Sequence, residues 1–353
     1  MLALLALSAL FAGAPPGPDA VGFEVRLLAD AARLREGAPR PLQLSIWYPA
    51  LHGGRALRYR DYVALAAGER KPASADDEES AIRRNVRFLR ESGGMTAAEA
   101  ARWMTAPMLA RADAPVQAGA APLVLFAPGN GNAASDYAPL CELIASYGFV
   151  VGLLPSQSRI DGPLQDEDGI TAAAEAQAAD LEFAARAMRL RPGVDATRTA
   201  LVAHSFGARS ALLFAMGNEV AALVSLDGGI GTRTGQEQLA RSKLWDAARG
   251  PALLHIFEEL DPFMAPDFTL LRKLRGKQWL VRAEALHHVH FTAVGAAVAL
   301  SKGLARATGA GPRTARAHGE VLRATVAFLR SAIAGSPQPP AKSEDLQPVE
   351  QAR

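Results

Sequence analysis

The chain has 353 residues, 49% of them hydrophobic and 21% charged, which is ample for a large packed core. A formal net charge of +2 gives no electrostatic case for nucleic acid or an anionic membrane surface, and a single cysteine, Cys141, excludes an internal disulfide. The length admits one large domain or two smaller ones.

The first stretch, residues 1–14, is apolar and too short to span a bilayer. It reads as the hydrophobic part of a secretory signal, with Ala12-Gly13-Ala14 as the cleavage site, although no Lys or Arg precedes it. The expected location is periplasmic or secreted, cytoplasmic if the leader is not a signal, with no membrane span in the mature chain. Residues 23–28 and 42–48 read as an antiparallel hairpin turning at Gly37-Ala38-Pro39-Arg40. Residues 51–118 break the rhythm. Ser74-Ala75-Asp76-Asp77 and Thr96-Ala97-Ala98-Glu99 resemble capping boxes and predict helices over about 76–91 and 97–110. This insertion is expected to form a helical lid or flank before the next strand, or else a surface excursion with no role in the site.

Residues 122–127 predict a buried strand, followed by the glycine-bearing loop 128–135 and a helix over 137–147. A strand at 148–154, a polar loop at 155–169 and a helix over 171–190 come next. Further strands are expected at 200–203, 220–226, 251–257 and 278–283, with helices over 208–216 and 314–334. Strands alternating with helices predict an α/β domain over 22–334, a mostly parallel sheet covered on both faces. The Pro- and charge-rich residues 335–353 read as a disordered tail.

Chemistry concentrates at Ala203-His204-Ser205-Phe206-Gly207, between the buried strand and the alanine-rich helix. A strand turning this sharply into a helix holds the serine in a strained backbone, and small residues two before and two after relieve the crowding. Ser205 is thereby a candidate nucleophile at the head of a helix that favours developing negative charge. A serine hydroxyl needs a base, and His287, His288 and His290 follow the last strand, where such a base belongs. Those three histidines also raise a metal site as an alternative, which lacks a nearby carboxylate set. His255 reads as a packed strand residue. Two acids, Asp227 and Asp261, sit just past strand ends and both satisfy the order Ser, Asp, His. Gly129, Gly131 and Ala134 fit a dinucleotide-binding pattern, but no acid ends the following strand to hold a ribose. The competing reading is an oxyanion loop, with an N–H near Asn130 paired with that of Phe206.

The chain resembles the α/β-hydrolase branch containing platelet-activating-factor acetylhydrolases and their bacterial, dienelactone-hydrolase-like relatives. The likeness rests on Ile46-Trp47-Tyr48-Pro49-Ala50, residues 122–131, residues 145–152, Ala203–Gly207, Leu226-Asp227-Gly228 and His288-Val289-His290-Phe291. It departs at Pro128, where His usually precedes the loop glycine, and at Ala203, which replaces Gly. The resemblance implies Ser205 as nucleophile, Asp227 as acid, and His288, within its His-x-x-Phe pattern, as base. It also implies backbone oxyanion donors at Asn130 and Phe206. Residues 259–266 are similar to the acid loop of bacterial polyester hydrolases and lipases, which keeps Asp261 as the alternative acid. The expected function is a serine carboxylester hydrolase acting on a small-molecule or lipid ester, with no metal or organic cofactor. Alternatives are a peptidase or acyltransferase on the same residues, or a binding protein that kept the fold. The sequence carries no signal for oligomeric state.

Overall fold

A computed structural model describes residues 11–164 and 167–349. Among these residues eleven strands form one sheet, in the order β11-β10-β9-β8-β7-β5-β6-β2-β1-β4-β3. β1 (Ala20–Arg35) and β2 (Ala38–Ala50) are the expected hairpin, and β2 continues antiparallel to β6 (Val150–Leu153). From β6 through β5 (Ala121–Ala127), β7 (Val194–His204), β8 (Ala222–Leu226), β9 (Ala252–Phe257) and β10 (Gln278–Ala283) every pairing is parallel. The core strands are apolar on both faces because helices cover both; Leu123, Val124, Leu125, Phe126 and Ala127 are all fully buried.

One face packs against α4 (Ala138–Ser146) and the long α11 (Thr314–Ile333), the other against α6 (Glu167–Arg189) and α7 (Gly207–Gly217). The chain leaves β5 for β6 on one side and then returns to place β7 on the other. The loops after β5 and β7 therefore diverge, and the crevice between them is where such sheets place ligands.

The insertion is not purely helical. Helices α1 (Tyr59–Ala64), α2 (Ala75–Glu91) and α3 (Ala97–Met104) lie between β3 (Arg55–Arg58) and β4 (Pro107–Ala112), and β4 joins the sheet parallel to β1. Both expected capping boxes form, at Ser74 with Asp77 and at Thr96 with Glu99. The second helix stops six residues before its expected end, because Pro107 cannot continue it and residue 106 is pushed to extended backbone. The insertion packs into the core through Tyr59, Tyr62 and Trp103, and through buried Glu142 of α4. Glu142 accepts from the Tyr62 hydroxyl at 2.6 Å and from the N–H groups of Leu109 and Ala110 at 2.8 and 3.1 Å.

The tail expected to be disordered is partly built. Asp345 is fully buried and accepts from Arg313, the N-cap of α11, at 2.6 Å and from Arg316 in its first turn at 2.7 Å. β11 (Leu346–Pro348) then adds antiparallel to the edge of β10, satisfying backbone groups an open edge would leave unpaired. Of the expected leader only residues 11–14 are described. Phe11 and Ala14 are buried there, and the Gly13 carbonyl accepts from Arg323. Among the described residues no helix is long and apolar enough to cross a membrane.

Candidate active site

Ser205 stands between β7 and α7 with φ = 53°, a left-handed backbone that a non-glycine residue adopts only under local constraint. That conformation is held from three sides. Its N–H donates to the Leu226 carbonyl at 3.2 Å, and its own carbonyl accepts from Gly229 at 2.9 Å and Ala208 at 3.2 Å. Gly207 is required by close approach: a Cβ there would stand 2.2 Å from the Ala127 carbonyl oxygen and 2.5 Å from that of Pro128. The small residues flanking the serine thus let the β7–α7 turn press against the end of β5.

His288 brings its Nε2 to 2.9 Å from Ser205 Oγ, and its Nδ1 lies 2.5 Å from Asp227 Oδ2. Asp227 follows β8 directly, also at positive φ (42°), and is buried. Burial pushes its carboxyl above the usual range, and the hydrogen bond and charge of His288 and the Glu258 N–H offset this only in part. With Nδ1–H donating to Asp227, Nε2 presents its lone pair to the serine hydroxyl.

Asp261 also meets the histidine loop, at different atoms. Its Oδ2 accepts from the His288 backbone N–H at 2.8 Å and its Oδ1 lies 2.8 Å from His287 Nδ1. Burial pushes Asp261 up, but the His288 N–H, the His287 bond and the charges of both rings outweigh it and hold the carboxyl below its usual range. The two acid candidates are therefore both engaged, Asp227 on the imidazole ring and Asp261 on the backbone that carries it. His290 turns away, accepting from the His287 N–H at Nδ1 and meeting Thr308 Oγ1 at Nε2; burial pulls it down to about 4. The three histidines thus address three different partners rather than a common centre. His255 is buried in β9 with its Nδ1 2.9 Å from Ser225 Oγ.

In the loop after β5, the Gly129 N–H donates to Tyr137 Oη at 3.0 Å, and the Gly131 N–H to the hydroxyls of Ser156 and Ser158 at 3.0 and 2.9 Å. Between them the Asn130 N–H has no acceptor among the described residues, and neither has that of Phe206 at the head of α7. Two unspent donors flanking a serine at a helix N-terminus can bind an oxyanion.

Several residues of the site carried no sequence signal. Tyr137 accepts from Gly129 and donates to His204 Nδ1 at 2.8 Å. His204, kept neutral by burial, stacks on the His288 ring at 4.7 Å and meets the His288 carbonyl through Nε2. Its side chain thus packs against the base. Glu258, one of two adjacent acids, is fully buried and accepts from the N–H groups of Leu260 and Asp261, shaping the turn that delivers Asp261. Arg159, on α5 (Gln157–Asp161), donates to the Gly131 carbonyl at 3.2 Å and pairs with Glu69 of the insertion at 2.5 Å. Through that pair the insertion reaches the loop after β5.

A chlorophyllase family model matches residues 94–241, which include the β5 loop, Ser205 and Asp227 but not the histidine loop. Among solved structures, a ferulic acid esterase from Streptomyces cinnamoneus superposes with a TM-score of 0.69, covering 96% of this chain and 98% of that one at 19% identity. No curated protein matches the sequence. With the strand order and the β7–α7 elbow, the structural likeness shows that the chain has the α/β-hydrolase fold.

Proposed function

We propose that this α/β-hydrolase-fold chain is a serine carboxylester hydrolase working through an acyl-enzyme. The observation that carries the reading is the unbroken line from Ser205 Oγ through His288 to buried Asp227, with links of 2.9 and 2.5 Å. Ser205 Oγ attacks the ester carbonyl carbon while His288 Nε2 takes its proton, and Asp227 stabilises the imidazolium without itself being protonated. The carbonyl oxygen, now an alkoxide, is met by the N–H groups of Asn130 and Phe206, each worth about 3 kcal/mol of barrier. Collapse expels the alcohol, which receives the proton from His288. Water then attacks the acyl-serine by the same steps in reverse, releasing the acid and restoring Ser205.

The esterase name of the structural neighbour and the chlorophyllase model both favour ester chemistry. The resemblance to acetylhydrolases and dienelactone hydrolases supports a short-acyl, phospholipid-type or lactone ester. Around His288 the side chains of Leu260, Phe263 and Val289 are exposed, and the Phe263 ring stands edge-on to His288 at 5.4 Å. Because His288 must reach the leaving oxygen, this apolar rim suits the alcohol part of the substrate. The apolar leader supports export to the periplasm or medium, and N-terminal sequencing of chain recovered from the native host tests that reading.

Hydrolysis of p-nitrophenyl esters of increasing acyl length, by wild type and Ser205→Ala, tests the enzymatic reading. Turnover by wild type and a loss of about 10⁴-fold or more in the variant are expected. Equal rates in both would overturn it.

A further inference from the structure

Arg209 sits one helical turn beyond Ser205 on α7, and helical side chains lean over the turn N-terminal to their own Cα, here toward the elbow. Its guanidinium lies 5.6 Å from the centre of the Phe206 ring, the residue proposed as an oxyanion donor. On the other side it is cradled by two glycines. A Cβ at Gly229 would stand 2.6 Å from its Cζ, and one at Gly235 would stand 3.1 Å from its Nε. Gly229 is itself bonded to the Ser205 carbonyl, so the cradle is part of the elbow. Gly235 lies in the first turn of α8 (Arg233–Arg241), so the guanidinium rests near the N-terminal, electropositive ends of two helices.

Among the described residues no acid pairs with this arginine, and its Nε is buried with no acceptor at all. Burial, opposed by nothing, pulls the guanidinium down to about 10. Arg209 is only partly buried, and the two arginines buried among the described residues are both compensated: Arg40 is held by Asp180 at 2.8 Å and by Asp161 at 2.7 Å, and Arg191 by Glu24 at 3.0 Å. A partly buried cation near two helix N-termini, seated against two glycines behind the elbow and with no carboxylate partner, can take an anion.

We infer that Arg209 is a substrate-binding residue that takes a carboxylate on the acyl part of the ester, making half-esters of dicarboxylic acids the favoured substrates. The inference rests on the esterase reading and deepens it. With the alcohol on the His288 rim, the acyl chain runs over Phe206 toward the guanidinium, whose planar fork matches a carboxylate.

The test compares mono-p-nitrophenyl adipate with p-nitrophenyl hexanoate, of similar length but uncharged at its end, with spontaneous hydrolysis subtracted. Wild type should favour the adipate half-ester by about 10- to 100-fold in kcat/KM, the range of one charge-assisted contact. Arg209→Gln should bring that ratio to one or below, and Arg209→Lys, retaining a charge without the fork, should fall between. A wild-type preference for the hexanoate, or a ratio that Arg209→Gln leaves unchanged, would overturn the inference while leaving ester hydrolysis standing. Thermal melts decide the same point without turnover. Free adipate should raise the Tm of Ser205→Ala but not of Ser205→Ala/Arg209→Gln. Equal shifts, or none in either, would refute the subsite even if the chain hydrolyses no ester.

Discussion

Replacing each acid by its amide separates the parts played by Asp227 and Asp261. Asp227 is 1% exposed and holds the His288 ring through one 2.5 Å bond, so Asp227→Asn removes a desolvated charge from the imidazolium and offers a donor where an acceptor is needed. The ring then favours the wrong tautomer or orientation, and kcat should fall about 10⁴-fold, or about 5.4 kcal/mol of transition-state stabilisation. Asp261→Asn leaves a carbonyl oxygen able to accept from the His288 N–H, now held at 2.8 Å, and disturbs chiefly the His287 contact. Its loss should stay within about tenfold, or about 1.4 kcal/mol. Asp261→Ala is harsher, because it leaves the His288 N–H without its acceptor, a cost of about 1–3 kcal/mol shared between stability and rate. The assay is kcat/KM on one p-nitrophenyl ester, with thermal melts to show that each variant folds. If Asp261→Asn is as inactive as Asp227→Asn, or more so, the division of labour drawn here is wrong.

Three further outcomes follow from buried contacts. Tyr137→Phe keeps the packing but leaves the Gly129 N–H and His204 Nδ1 without their shared hydroxyl, so stability should fall by about 1–3 kcal/mol and kcat should drop about 10- to 100-fold with KM little changed; a thermal melt and steady-state kinetics at one pH decide it. Arg40→Met removes one of two cations from the buried Asp180 carboxylate, leaving Arg33 at 2.7 Å, and should cost about 2–3 kcal/mol in urea unfolding, whereas a cost under 1 kcal/mol would show the Arg40 pair to be dispensable. His318 is pulled from 6.5 to about 4 by burial, so the unfolded chain binds its proton first as pH falls. Its contribution is complete above pH 6.5 and lost on the way down to about 4, roughly 3 kcal/mol in all. Glu142 and Glu258, pushed up to about 7 by burial, act in the opposite sense, favouring the folded state as pH falls from 7 toward 4.5. The readout is therefore a difference: His318→Gln should flatten the acid limb of unfolding free energy against pH by that amount relative to wild type.

The sheet's centre was legible because β5, β7 and β8 are short apolar runs that only a doubly covered strand explains, and the elbow was legible because the turn demands small residues at fixed offsets. The histidine loop followed from its place after the last parallel strand. What escaped the sequence depended on partners distant in the chain. Glu258 and Glu259 are adjacent acids, but only the fold buries the first against Asp227 and the Asp261 turn while the second pairs with Arg282 at the surface. Asp345 lies in a stretch of disordered composition and is ordered by two arginines about 30 residues earlier, at the start of α11. The insertion's capping boxes marked where α2 and α3 begin, but β4 has no hydrophobic alternation of its own and forms because β1 leaves an edge to pair with. The choice between two acids could not be made by spacing, since both reach the same loop.

The central claim is that Ser205 is a nucleophile activated by His288. The most direct measurement is intact and peptide mass spectrometry after treatment with a fluorophosphonate, which transfers its phosphonyl group to an activated serine and releases fluoride. A single adduct on Ser205 is expected, absent from Ser205→Ala and slowed by about 10³-fold or more in His288→Ala. An unmodified wild-type chain, or an adduct that persists on another residue in Ser205→Ala, would contradict it.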